Sequence, residues 1–263
     1  MLSTRLGRWY RAVGTGFCFF AFGAGCLLAM PTVLPFVLLL PGSIDARRRR
    51  VRRFVSWAFR ALLATIAGLG LGRVEVEGRE YLEQAHGRLV LATHPTYLDV
   101  VVLLSLMPHA DCVVKSALWR NPFTRLFVHR AEYISNAEPE ELIQNCVRAV
   151  QTGEALVLFP EGTRSVPGEA IKFRRGAAQV AVRGDLEILP VVLHCSPPTL
   201  LKHAMFYEVP DRPWRLRVKV CAPRKLSDFL SEPALPAGVA VRRLTAALEA
   251  FFKQQLPEHE YAG

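Results

Sequence analysis

No charged residue stands between Arg11 and Asp45, and that gap holds GFCFFAFGAGCLLAMPTVLPFVLLL, the longest apolar run in the chain. A segment of this kind must be buried in lipid or in protein. About 20 apolar residues cross a hydrocarbon core as a helix, and residues 16–40 would span about 37 Å as one. The run is too long for the apolar stretch of a secretory signal peptide. Arginines at 47–50, 52 and 53 follow it, with no small-residue cleavage site before them. Pro31 and Pro35 each remove a backbone donor. The run is therefore expected either as one kinked span or as a hairpin that enters and leaves on the same side. Residues 54–71 follow as a second apolar segment. Its aromatics, Phe54, Trp57 and Phe59, stand just after the arginines, which suits a helix in the membrane interface.

Charge divides the chain at the same place. Residues 1–72 contain ten arginines and a single acid, Asp45, for a net charge of +9; the other 191 residues carry only +1 of the total +10. This sets a membrane segment at 1–72 apart from a nearly neutral body at 73–263. Nucleic-acid binding would require basic groups and stacking aromatics across the body, and its balanced charge argues against that partner. The heavier arginine flank is expected on the cytoplasmic side. The six cysteines form no CxxC and have no zinc-like spacing to a histidine, so reduced, buried thiols are expected.

Beyond Gly72, short apolar runs alternate with amphipathic stretches. Residues 73–78, 88–93, 110–116, 154–160, 188–194 and 214–221 read as strands, the last as a candidate edge. Residues 98–107, 137–151 and 239–255 read as helices, with Pro95 placed to start the first. Alternation of this kind predicts an α/β fold, a mixed sheet flanked by helices, preceded by the N-terminal membrane-embedded helical segment.

Two short blocks carry chemistry. His94 directly follows the strand at 88–93, where open α/β sheets place their ligands. Asp99 comes five residues later, in HPTYLD. If the turn brings the carboxylate back to the imidazole, the pair forms a base held by its orienting group. FPEGTRS follows the strand at 154–160 and offers Glu161, Gly162, Thr163 and Arg164. An arginine there suits bidentate capture of phosphate, and the glycine lets backbone approach a ligand. P-loop, GxGxxG and GxSxG patterns are absent, and Ser165 has no nucleophile-elbow context.

HPTYLD followed some sixty residues later by FPEGTRS resembles the glycerolipid acyltransferase family that contains the 1-acylglycerol-3-phosphate acyltransferases. The resemblance covers roughly residues 75–220. It implies His94 as base and Asp99 as its partner, with Glu161, Gly162, Thr163 and Arg164 binding the acceptor's phosphate end. Arg130, in LFVHRAEYIS, matches the arginine that the family places between the blocks in the acceptor site. Pro190 and FRRGAAQVA (173–181) match weaker elements. Thr93 replaces the family's more usual asparagine or small polar residue. The implied reaction moves an acyl chain from acyl-CoA or acyl carrier protein to a lysophospholipid-like hydroxyl, with no metal or other cofactor. Its expected place is a bacterial inner membrane, with the catalytic domain facing the cytoplasm. The stretch at 110–123 resembles the branch found in bacterial aryl-polyene and related lipid clusters, which implies a different acceptor as the alternative. A non-catalytic, membrane-anchored lipid-binding protein is a further one.

Overall fold

The apolar run folds as one helix, α1 (Thr4–Leu39), which continues through Pro31 and Pro35. Thr32 lies between the prolines, and its hydroxyl donates to the Leu28 carbonyl at 2.6 Å. The chain reverses at residues 40–43 and returns as α2 (Ile44–Gly68), whose N-terminus Ser43 caps through its side chain. The reversal therefore lies beyond the run and not at Pro31. A computed structural model describes residues 4–256, apart from 123, 206, 231, 233 and 234.

The body follows as β1 (Gly72–Glu77), α3 (Arg79–Glu83), β2 (Leu89–Ala92), α4 (Asp99–Leu106), β3 (Asp111–Val114), α5 (Ser116–Arg120), α6 (Arg125–Ala131) and β4 (Ile134–Ser135). Then come α7 (Pro139–Gln151), β5 (Leu156–Leu158), α8 (Arg175–Gly184), β6 (Ile188–Ser196), β7 (Trp214–Val220) and α9 (Ala237–Gln255). The sheet order is β1-β7-β6-β2-β5-β3-β4. All neighbours run parallel except β6 and β7. The clean alternation of WRLRVKV had suggested an edge strand. β7 instead lies between β1 and β6, and β1 forms that edge. A strand polar on one face alternates wherever that face meets water, whether or not it has two neighbours. The central strand β2 is buried at every position, as a continuous apolar run requires.

Two cores cover the two faces of the sheet. One gathers α7, α8 and α9, with Cys146, Val180, Leu244 and Phe252 among its buried side chains. The other runs from Val102 and Leu103 of α4 through Val51, Val55 and Leu62 of α2 to Cys18 and Leu34 of α1. The N-terminal helices thus share a core with the body. Their inner face joins Phe22 to Phe59 as stacked rings 5.7 Å apart, and Phe54 to Phe127 at 5.8 Å. Residues 54–71, expected at a membrane interface, mostly pack on protein, although Trp57 stays exposed.

The arginine run is equally divided. Arg47, Arg49 and Arg53 are exposed. Arg50 closes the helix reversal by donating to the carbonyls of Leu40 and Pro41. Arg48 and Arg52 turn inward onto Glu154, and Arg52 also meets Asp111 at 3.0 Å. At its other end α1 is tied to the loop before β7. Arg8 Nε donates to Asp211 at 2.9 Å, and Arg11 donates to the carbonyls of Pro210 and Asp211. α1 therefore lies along α2, fastened at both ends. It is a helix long and apolar enough to cross a membrane by length and composition.

Candidate active site

β2 and β5 are adjacent and parallel, so the residues that follow them meet at one edge of the sheet. His94 leaves β2 there, and the turn beginning at Phe159 leaves β5. Thr93 fixes the exit: its hydroxyl donates to the Leu193 carbonyl at 3.0 Å and accepts the Leu193 N–H at 2.7 Å. The side chain that departs from the family pattern thus pins the residue before His94 to β6.

The turn between His94 and α4 brings the expected pair together. Pro95 does not start the helix, which begins at Asp99. Residues 96–98 form a local turn in which the Thr96 hydroxyl accepts the Leu98 N–H at 3.0 Å. Asp99, fully buried, is 2.8 Å from His94 Nδ1. It also accepts the Thr96 N–H and hydroxyl, both at 2.7 Å. Burial pushes the Asp99 carboxyl up, opposed by the His94 and Thr96 bonds. As a carboxylate it accepts from Nδ1–H, which leaves the lone pair on Nε2. Phe159 stacks on the imidazole with ring centroids 4.1 Å apart. The ring is thus held by its edge and by one face, and the side chain keeps 18% exposure.

The second block grips the backbone of the first. Glu161 accepts the His94 N–H at 2.9 Å and the Ser165 hydroxyl at 2.8 and 3.0 Å. Ser165 N–H donates back to the His94 carbonyl at 2.8 Å. Glu161 was expected to bind substrate; in the structure it is buried and its oxygens face His94 and Ser165. Burial raises its carboxyl, against the Ser165 and His94 bonds. Gly162 has φ +68°, and a Cβ there would stand 2.8 Å from Arg174 Cδ. The positive φ favours glycine, and a larger residue would also displace the overlying Arg174 side chain. Thr163 is half-buried in the same turn.

Arg164 points toward the loop after β6. Its guanidinium donates to the carbonyls of Leu200, Leu201 and Lys202 at 2.9–3.2 Å. It lies 3.4 Å from the centre of the Tyr97 ring. Three of five N–H donors are so used, leaving two outside those bonds.

Arg130 is not brought to this edge. It stands exposed on α6 beside Ala131, whose carbonyl accepts from Arg52. The same Arg52 pairs with Asp111, the first residue of β3. That is the opposite end of the parallel strands from His94. Arg130 precedes β4, whereas the residue that leaves β4 at the active edge is Asn136, whose side chain accepts the Ser116 N–H at 2.9 Å. Spacing between two motifs does not fix which edge a residue reaches. Thr96 and Phe159 carry roles that the motifs alone do not assign, and Ser165, without a nucleophile's context, acts instead as a partner of Glu161. Each sits inside or beside a recognised block, and that adjacency was the available signal.

A family model described as Acyltransferase matches residues 73–194, spanning both blocks. The segment that carries both blocks is thus similar to the acyltransferase family. Among its similar relatives, the 1-acyl-sn-glycerol-3-phosphate acyltransferase LPAT1, chloroplastic, of Arabidopsis thaliana is 26% identical over 191 residues, 70% of this chain and 51% of the relative. The 1-acyl-sn-glycerol-3-phosphate acyltransferase of Cocos nucifera is 25% identical, over 71% of this chain and 59% of its own. The alpha enzyme of that name from Mus musculus is 25% identical, over 66% and 63%. The chain thus spans about half to three-fifths of the length of these curated relatives. The crystal structure of the 1-acyl-sn-glycerophosphate (LPA) acyltransferase PlsC from Thermotoga maritima shares the fold. Its TM-score is 0.71 at 15% identity, covering 99% of this chain and 100% of that one. This shared fold is the mixed sheet flanked by helices anticipated from the sequence. Among the described residues no cluster of metal-ligating side chains occurs.

Proposed function

We propose that the protein is a membrane-attached O-acyltransferase. It moves an acyl chain from a thioester on coenzyme A or acyl carrier protein to the hydroxyl of a lysophosphatidate-like lipid, in phospholipid biosynthesis. The observation that carries this reading is the 2.8 Å contact between His94 Nδ1 and buried Asp99 at the active edge. His94 Nε2 takes the hydroxyl proton as the oxygen attacks the thioester carbonyl. The C–O bond forms, the C–S bond breaks, and the proton passes to the departing thiolate. Asp99 holds the tautomer and favours the transient imidazolium. Glu161 and Ser165 position His94 through its backbone. The printed names of the relatives support the acceptor class. The test is formation of diacylated product from 1-acylglycerol-3-phosphate with acyl-CoA or acyl carrier protein. Failure to consume either thioester overturns the reading.

In this scheme the remaining donors of Arg164 receive the acceptor's phosphate, beside Gly162 and Thr163. Arg164→Ala is then expected to raise the acceptor KM by about one to two orders of magnitude, the equivalent of ~1.5–3 kcal/mol. Arg164→Lys should recover only part, because lysine lacks the planar fork. An unchanged acceptor KM would remove Arg164 from the binding role. That outcome favours a second reading, an uncharged acceptor in a specialised lipid pathway. The distance of Arg130 from the active edge supports that second reading.

Membrane attachment follows from α1. Its outer face exposes Trp9, Phe17, Phe20, Leu28, Phe36 and Leu39, while its inner face is spent on α2. At 36 residues it is about 54 Å long, against a hydrocarbon core of roughly 30 Å. A helix tied to the body at its N-terminal end and to α2 at the other fits one leaflet, lying in its plane, better than a single span. The protein is expected to stay in the membrane fraction through high salt and carbonate, since buried apolar area supplies most of the attachment. Release by either wash overturns it. An N-terminal tag should be protected from protease on sealed bacterial spheroplasts, because both helix ends lie on the body's cytoplasmic side. A cleaved tag would restore the single span.

A further inference from the structure

Tyr97 lies between the base and its partner in HPTYLD, yet its side chain bonds to neither. The residue is 55% exposed, and the guanidinium carbon of Arg164 sits 3.4 Å from the ring centre. That distance is well inside the range of a cation–π contact. The backbone of Tyr97 reaches the same place, since its N–H donates to the Leu200 carbonyl at 3.3 Å. Leu200 is one of three residues in the described chain, other than glycine, with a positive φ, at +51°. A leucine rarely adopts that conformation. It points a carbonyl that both Tyr97 and Arg164 use.

The guanidinium is therefore fixed in two directions. Three carbonyls hold its edge, and the ring supports its face. An arginine side chain with no such support loses rotamer freedom when it binds a ligand. One already held in place has met that cost, so the ligand binds more tightly. The carbonyls alone leave the plane of the group able to tilt, and an aromatic face prevents this.

We propose that Tyr97 is a positioning residue for acceptor binding: its ring holds Arg164 in the orientation that receives the anionic head group, and so couples the catalytic turn to the loop at 200–202. This rests on the reading of Arg164 as the acceptor's anion grip. Tyr97 takes no part in proton transfer, and its hydroxyl is dispensable because the ring face does the holding.

The test measures steady-state kinetics with 1-acylglycerol-3-phosphate in mixed micelles and a saturating acyl-CoA. Tyr97→Ala and Tyr97→Leu are expected to raise the acceptor KM by about five- to tenfold, while kcat and the donor KM move by less than about twofold. Tyr97→Phe should restore the acceptor KM. In an Arg164→Ala background Tyr97→Ala should add little, because its effect passes through Arg164. The exposure of the residue makes loss of folding unexpected, and thermal unfolding of each variant checks this. An unchanged acceptor KM in Tyr97→Ala overturns the proposal, as does an effect that Phe fails to restore or that adds in full to Arg164→Ala. If Arg164→Ala itself leaves the acceptor KM unchanged, the anion-grip reading fails and takes this proposal with it. If only the Tyr97 variants are silent, the grip stands and Tyr97 alone is excluded.

Discussion

His94→Ala is expected to lower kcat by about 10²–10⁴-fold, the usual worth of a positioned general base. Donor and acceptor KM should change far less, because the imidazole acts on the proton that moves in the transition state. Asp99→Asn should be nearly as severe for a different reason. The carboxylate accepts from Nδ1–H and from Thr96, and a carboxamide in its place no longer favours the imidazolium or dictates the tautomer. Thr96→Val removes only one bond to Asp99 and should cost much less. Turnover of a purified thioester and acceptor by protein of unchanged melting behaviour is the measurement. Near wild-type turnover in folded His94→Ala would sink the mechanism and leave the lipid-binding alternative standing.

The pairing of His94 with Asp99 was legible because both belong to one short block, and a local turn closes it. The meeting of the two blocks at one edge was legible too, since a strand that ends in a motif residue identifies the edge it leaves. What failed to show were relations between distant segments. Glu161 reads as a ligand-binding carboxylate in its own block, yet its use is set by the His94 N–H on another strand. Arg130 reads as part of the site by order along the chain, but chain order does not say which end of a parallel sheet a helix-borne residue occupies. The run at 47–53 reads as a uniform basic flank. A helix spreads such a run around its axis, about 100° per residue, so Arg48 and Arg52 share the buried face while Arg47, Arg49 and Arg53 do not. The strands and most of the long helices were legible from periodicity. The short helices α5 and α6 and the two-residue β4 carry too few residues for a period to form.

Arg52→Ala is expected to be the most destabilising single change outside the catalytic turn, at about 3–5 kcal/mol, the cost of breaking a buried ion pair from one side. The Arg52 side chain is 1% exposed. It meets Asp111 at 3.0 Å and Glu154 at 3.1 Å, and donates to the carbonyls of Ala131 and His109. Removing it strands the Asp111 carboxylate at the start of β3. It also unpins α2 from the sheet edge. Burial already pushes the Asp111 carboxyl up, and the Arg52 charge opposes that. Without the arginine only the Cys112 N–H bond still opposes burial, so the folded state holds a proton more tightly there than the unfolded chain does. An acid raised in the folded state costs stability as pH rises and returns it as pH falls. The deficit of Arg52→Ala should therefore be larger at pH 7.5 than at pH 5.5, and Asp111→Asn in the same background should relieve part of it at pH 7.5. Thermal unfolding of the detergent-solubilised variants at both pH values reads this directly. A loss under about 1 kcal/mol, the value of an exposed pair, with no dependence on pH, would mean that the arginine does not fasten the N-terminal helices to the catalytic body.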